Sequence, residues 1–228
     1  MTVLSDAYAG KGTAALTTAD TGQVWQVDGS GDANSTPSII DNKVTNTTVA
    51  AGARAGYFEF ENPNVNQLGA SWTFTSHTTG AGAAGLLIFS SSVTARITNN
   101  VFTAAAPDAP CHLSFGPSTW SYAVIDGGSF VVIGSGSYTA LAADDSTVHS
   151  ASVLLRANGA RVTLPNGNQT TITDSRIASV AKGWPCFEIF ALNASTDPKA
   201  KFTEVWADSD PVLSPRRYRA RHPRMRTR

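Results

Sequence analysis

Ser71-Trp72-Thr73-Phe74-Thr75 sets aromatic side chains against hydroxyls at every second position. Successive side chains of a strand point to opposite faces, so this stretch buries Trp72 and Phe74 on one face and wets the other. Arg161-Val162-Thr163-Leu164 repeats the pattern with aliphatic residues. Outward from these two stretches, period two recurs along the chain and a period of 3.6 does not. Further strands are expected at Gln23–Val27, Pro37–Val44, Arg54–Glu61, Gly85–Ser90, Val93–Phe102, Cys111–Gly116, Trp120–Asp126, Phe130–Gly134, Val148–Ala157, Thr170–Asp174, Pro185–Leu192 and Lys201–Asp208, about fourteen in all.

Turn chemistry agrees with this division. Asn158-Gly159 and Asn166-Gly167 are favoured hairpin dipeptides, and Asp126-Gly127-Gly128 separates two apolar runs. Composition agrees as well: 26 Thr and 23 Ser stand against only 5 Lys and 4 Glu, which leaves few residues for the wet faces of helices. The expected architecture is all-β, a two-sheet antiparallel sandwich. Its 228 residues suffice for a core that needs neither disulfide nor metal. One domain is expected over about residues 16–210, preceded by a lead-in segment, residues 1–15, and followed by a basic arm, residues 211–228.

The zero net charge hides an asymmetry. All 17 acidic residues lie at or before Asp210, whereas Arg216, Arg217, Arg219, Arg221, Arg224, Arg226 and Arg228 lie beyond it. The body therefore carries 10 − 17 = −7 and the arm +7. An acidic body with an Arg-rich extension points to an arm that docks on something negative. Pro215 and Pro223 forbid a continuous helix there. Nucleic acid enters the reading only through this arm. No basic segment leads into an apolar run at the N-terminus, and no stretch approaches the ~20 apolar residues of a membrane span, so neither a secretory signal nor membrane insertion is expected. Cys111 and Cys186 stand 75 residues apart without a second Cys-x-x-Cys partner, and two buried thiols are expected.

Chemistry-bearing groups are few. Glu59 and Glu61 are two apart on a strand, as an acid and a nucleophile flanking a glycosidic bond would be. The E-x-D-x-x-E strand of jelly-roll glucanases finds its first Glu here but neither its Asp nor its last Glu. His77, His112, His149 and His222 are scattered, without triad or metal spacing, and read as turn or sheet-surface residues. An enzyme is not expected, and no catalytic residue is assigned. Asp28, Ser30 and Asp32 place oxygen donors at alternate positions, the opening of a calcium loop, but Ala33 and Ile39 occupy positions six and twelve, where an EF-type site needs Gly and Glu. A weak Ca²⁺ site is the one cofactor option left. Among the aromatics, Trp25, Trp72 and Trp206 alternate with polar neighbours and are expected in the core. Trp120, Tyr122 and Trp184 lie at or near loop-to-strand junctions and are the candidates for stacking on a sugar.

Thr18-Ala19-Asp20-Thr21-Gly22-Gln23-Val24-Trp25, followed by a strand with Ile39, Ile40 and Val44, resembles the opening of concanavalin A-like (laminin-G-like) jelly rolls in minor tail proteins of actinobacterial phages. Cys186–Phe190, a polar loop over Asn193–Lys199, and Lys201–Asp208 resemble the last two strands of the same domain. Where members carry an aromatic-Asn-Arg segment, this chain has Tyr8-Ala9-Gly10. The resemblance implies a concanavalin A-like jelly roll over about residues 16–208. It further implies a virion structural protein of the tail or baseplate, assembled in the host cytoplasm, oligomeric, docked on other virion subunits and touching host cell-wall glycan. A ligand-free capsid decoration protein is the first alternative. A bacterial carbohydrate-binding protein or glycosidase is the second.

Overall fold

The computed structural model describes residues 2–30, 36–46, 54–62, 65–75, 82–89, 97–98, 101–102, 111–126, 129–178, 183–191 and 199–209. The strands in chain order are β1 (Thr2–Ala7), β2 (Gln26–Ser30), β3 (Pro37–Ile40), β4 (Lys43–Asn46), β5 (Arg54–Glu59), β6 (Gln67–Phe74), β7 (Ala83–Phe89), β8 (Ile97–Thr98), β9 (Val101–Phe102), β10 (Cys111–Phe115), β11 (Thr119–Asp126), β12 (Ser129–Ser137), β13 (His149–Arg156), β14 (Gly159–Thr163), β15 (Gln169–Thr173), β16 (Trp184–Ala191) and β17 (Ala200–Asp208). One helical turn, α1 (Ser175–Ala178), follows β15.

Two antiparallel sheets carry the chain. An eight-stranded sheet runs β15-β14-β13-β6-β17-β4-β3, with β1 also paired to β17, and a seven-stranded sheet runs β12-β11-β10-β7-β16-β5-β2. Their inward residues meet in one core. Trp72 of the first sheet stacks on Phe115 of the second at 5.6 Å, and Phe202 of the first meets Phe58 and Phe187 of the second edge-on at 5.4 and 6.1 Å. Each such pair adds about 0.5–1.5 kcal/mol beyond the area it buries. The alternation of Trp72 and Phe74 with Ser71 and Thr73 is thus the alternation of core and outer face of β6, but Thr73, expected to meet water, is buried, its hydroxyl accepting from Lys43 Nζ at 3.2 Å.

The structure extends and corrects the sequence reading in four places. Residues 1–15, expected as a lead-in outside the domain, supply β1, which pairs with β17 from Thr2↔Asp208 to Ala7↔Glu204. The Asp20-Thr21-Gly22-Gln23 turn clamps this strand. Gly22 takes φ +93°, the Asp20 and Thr21 side chains accept from the Ala7 and Ser5 amides at 3.0 and 3.1 Å, and Gln23 Nε2 donates to Val3 O. The stretch expected as one strand, Pro37–Val44, is a hairpin whose turn residues Asp41 and Asn42 have φ +49° and +65°, values that Asn and Asp tolerate in type I′ turns.

Trp206, expected in the core, lies on the outer face of the eight-stranded sheet. It is opposite Gly69, and its ring occupies the space a side chain there would fill. A bulge at Thr203, between the Phe202 and Glu204 pairings, fixes which residues of β17 face outward. Cys111 and Cys186 sit on strands flanking β7 on opposite sides, opposite Ile88 and Leu87. Two strand spacings, about 9.5 Å, exceed disulfide reach. Cys186 is buried, and its thiol donates to Phe187 O at 3.7 Å.

Candidate functional site

The outward face of the seven-stranded sheet collects the polar side chains that the core rejects. Register places Ser121, Ser114, Gly85, Glu188, Tyr57 and Asp28 in one row across it. The next row is Ala123, His112, Leu87, Cys186, Glu59 and Gln26. His112 Nε2 and Glu188 Oε2 are 2.7 Å apart, although β7 runs between their strands. Gly85 makes this contact feasible. A methyl group there would stand 2.7 Å from Glu188 Oε2 and 2.8 Å from Glu188 Cβ. When Glu188 is ionised it only accepts, so His112 carries its proton on Nε2 and its ring orientation is fixed.

The face is closed at its centre and open at one side. Glu59, Tyr57, Leu87 and Cys186 are buried, Glu59 to 2% exposure, and Trp184 packs against them half-buried. Toward β12 the surface opens: Phe130 is 51% and Val132 58% exposed. The Phe130 ring stands edge-on to His112, with centroids 5.4 Å apart. Beside them the Ser114 and Ser121 hydroxyls share a 3.0 Å hydrogen bond. Apolar ring surface, an oriented imidazole and a hydroxyl pair thus lie side by side on β10, β11 and β12. Such a combination can stack on the apolar face of a sugar while hydrogen-bonding its hydroxyls.

The sequence-selected residues are distributed differently. Tyr122 is fully buried and Trp120 nearly so. Because β11 begins at Thr119, the parity of the strand turns Trp120, Tyr122 and Val124 into the sandwich, and these rings offer no face to a ligand. Trp120 fills the space over Gly136 instead of a loop rim. Trp184 does belong to the outward face. Glu61, expected as the same-face partner of Glu59, is exposed beyond the end of β5. Two carboxylates share the face with Glu59, Glu188 across the β5–β16 ladder and Asp28 across the β2–β5 ladder, each a diagonal neighbour about 7–8 Å away by sheet geometry.

Asp28 and Ser30 lie within β2 rather than in a turn, and the Asp28 carboxylate accepts from the Gly29 amide at 2.7 Å. Asp32 lies outside the described residues, as do Arg216, Arg217, Arg219, Arg221, Arg224, Arg226 and Arg228. Among the described residues no three His, Cys, Asp or Glu side chains gather as a metal site. Sequence reasoning missed His112, Ser114, Phe130 and Glu188. His112-Leu113-Ser114-Phe115 carried the signal for two of them, since Leu113 and Phe115 must face the core and His112 and Ser114 must then face away.

A second polar cluster closes the rim of the eight-stranded sheet. Asp6 is fully buried and receives Lys11 Nζ, Trp25 Nε1 at 2.8 Å and the Asp20 amide at 3.3 Å. Lys11 also meets Asp20 at 2.8 Å and stands over the Tyr8 ring. Burial raises the Tyr8 pKa well above its ordinary value, and the charge of Asp6 adds to this. Asp6, Lys11, Asp20 and the Trp25 N–H bond to one another, so the work of the cluster is structural.

The sequence matches no protein-family model and no curated protein. Its fold is shared with solved structures at low identity. The exoplasmic/lumenal domain of VIP36 in its Ca²⁺/Man-bound form superposes with a TM-score of 0.58 at 11% identity, covering 93% of each chain. LamA of Zobellia galactanivorans, in complex with laminaritriose and laminaritetraose, gives 0.56 at 10%, covering 91% of this chain and 98% of that one. Lectin II from Ulex europaeus gives 0.51 at 12%, covering 79% and 91%. The architecture is therefore a concanavalin A-like jelly-roll sandwich, a scaffold that hosts both glucanases and lectins.

Proposed function

We propose that the chain is a non-enzymatic, glycan-binding jelly-roll protein of a phage virion, carried on the tail or baseplate, that contacts host cell-wall glycan through β10, β11 and β12. The observation that carries the binding site is the half-exposed Phe130 ring, edge-on to a His112 that Glu188 holds in place. The virion setting rests on the likeness of the Thr18–Trp25 and Cys186–Asp208 segments to phage tail jelly rolls. In that setting the protein assembles in the host cytoplasm, docks on other virion subunits and forms a symmetric oligomer. Glycan-bound neighbours on the same scaffold support the ligand class.

The test is co-sedimentation of full-length protein with purified host-type cell-wall polysaccharide at about 50 and 300 mM salt, the higher value suppressing the contribution of the Arg arm. Retention of wild type at both salts, reduced at least about tenfold by Phe130→Ala, is the expected result, stacking being worth about 1–3 kcal/mol. Equal retention of wild type and variant would remove the site. Release of reducing ends that a Glu188→Gln change abolishes would overturn the non-enzymatic reading.

A second reading has its own observation. The centre of the face is closed, with Glu59, Leu87 and Cys186 buried, and a face closed there suits a capsid decoration protein without ligand. Loss of polysaccharide binding at both salts, together with virion incorporation, favours it.

A further inference from the structure

We infer that Glu204, Trp206 and Asp208, on the outward face of the eight-stranded sheet, form the seat of the chain's own Arg-rich C-terminal arm. The three side chains stand at alternate positions of β17, and the intervening Val205 and Ala207 are buried in the core. They therefore line one face as acid, indole, acid. Opposite Gly69 the indole lies on bare backbone, which holds the ring against the sheet. It is half-buried, so part of its surface meets solvent. A flat indole flanked by carboxylates is the preferred environment of a guanidinium, which stacks on the ring and donates in pairs to carboxylate oxygens.

Three further observations point to a missing cation. Asp208 Oδ1 is buried without a hydrogen-bond partner among the described residues. Lys201, on the same strand, is committed to Asp145 at 2.9 Å, and Arg161, the cation in the Asp208 row, lies three strands away beyond Gln67 and Leu154. The described chain stops at Ser209, one residue past β17, and Arg216 and Arg217 follow seven and eight residues later.

A seven-residue tether has a root-mean-square reach of about 15 Å. Trp206 lies two strand residues from Asp208, about 7 Å. The first arginines are thus held near the strip at roughly millimolar effective concentration, which favours the chain's own arm over that of another copy. The body at −7 and the arm at +7 complement each other in sign. This inference is independent of the glycan-binding surface, which belongs to the other sheet.

Limited trypsin digestion of the full-length protein tests it, with mass spectrometry following cleavage after the arm arginines. Arm cleavage is expected to be roughly threefold to tenfold faster in a Glu204→Gln, Asp208→Asn double variant than in wild type at about 50 mM salt, and equal in the two at about 500 mM. An Arg216→Gln, Arg217→Gln variant, which leaves the domain untouched, is expected to speed cleavage at the remaining arginines. Thermal unfolding of each variant confirms that the sandwich is intact. Protection is expected to be independent of protein concentration. Equal cleavage rates in wild type and both variants at low salt would overturn the inference. So would protection that grows with protein concentration, which would seat the arm on a second copy, or protection that appears only when nucleic acid is added.

Discussion

Two buried carboxylates, Asp6 and Glu188, each face a cationic or titratable partner, and they differ in what lies beside them. Asp6 is enclosed by Lys11, Trp25, Tyr8 and the Asp20 turn, all of which hold β1 on β17. Glu188 reaches across a glycine to His112, and His112 abuts the exposed Phe130. The chemistry is similar in the two places. A network that closes on itself stabilises the fold, whereas one that ends at an open aromatic surface is positioned for a ligand.

The largest effect that can break this contrast is expected from Asp6→Ala. Removing one partner of a buried, hydrogen-bonded charge costs about 3–5 kcal/mol, because the Trp25 N–H then loses its acceptor and Lys11 keeps only the half-exposed Asp20. Urea unfolding should show this loss, with polysaccharide affinity per folded molecule unchanged. A loss of affinity with retained stability would make the clamp functional and dissolve the distinction. Gly85→Ala is expected to cost less, about 1–3 kcal/mol, by driving a methyl group into the Glu188 carboxylate. A Glu188→Ala change in the same chain should restore part of that loss, since it removes the carboxylate oxygen at 2.7 Å but keeps Cβ at 2.8 Å, a non-additivity that unfolding of the two single variants and the double variant measures. Additive losses would show that Gly85 is needed for some other reason.

The smallest effect concerns pH. A hydrogen bond from Lys11, joined by the Ala7 amide, lowers the Asp20 pKa below its ordinary 3.8. A depressed folded pKa contributes stability that is complete above pH 3.8 and disappears as pH falls through the lower folded value. Burial pulls Lys11 down, but its bonds to Asp20 and Asp6 outweigh this and leave its pKa above the ordinary 10.5. Its contribution is present below pH 10.5 and lost as pH rises through the folded value. In Asp20→Asn the stability profile should therefore be flatter than wild type below about pH 4, modestly so because Asp20 is half-exposed. Unfolding midpoints at stepped acidic pH check the slope.

Much of the sandwich was legible in period two, because Trp72, Phe74, Val162 and Leu164 each had to choose between a core and a solvent face. Hairpins written in Asn-Gly were legible too, whereas the Asp41-Asn42 turn was not, since no glycine marks it and Ile39, Ile40 and Val44 flank it closely. The site was harder to see. Whether Trp120 or Ser121 faces outward depends on where β11 starts, and one residue reverses the answer. The pairing of His112 with Glu188 depends on three strands distant in sequence meeting side by side, with a glycine in the middle strand, and no local pattern encodes that. Trp206 was assigned to the core because alternation alone does not reveal a bulge, and the bulge at Thr203 shifts the phase of the strand.

The most direct test of the central claim is a residue-resolved amide spectrum of the full-length protein, titrated with a soluble fragment of host-type cell-wall glycan at about 300 mM salt, where exposed charges are screened. The account predicts saturable shifts at His112, Ser114, Ser121 and Phe130, with Lys11, Asp20 and Trp25 still. Shifts centred on the Asp6 clamp, or saturable binding that leaves β10, β11 and β12 unmoved, would contradict it.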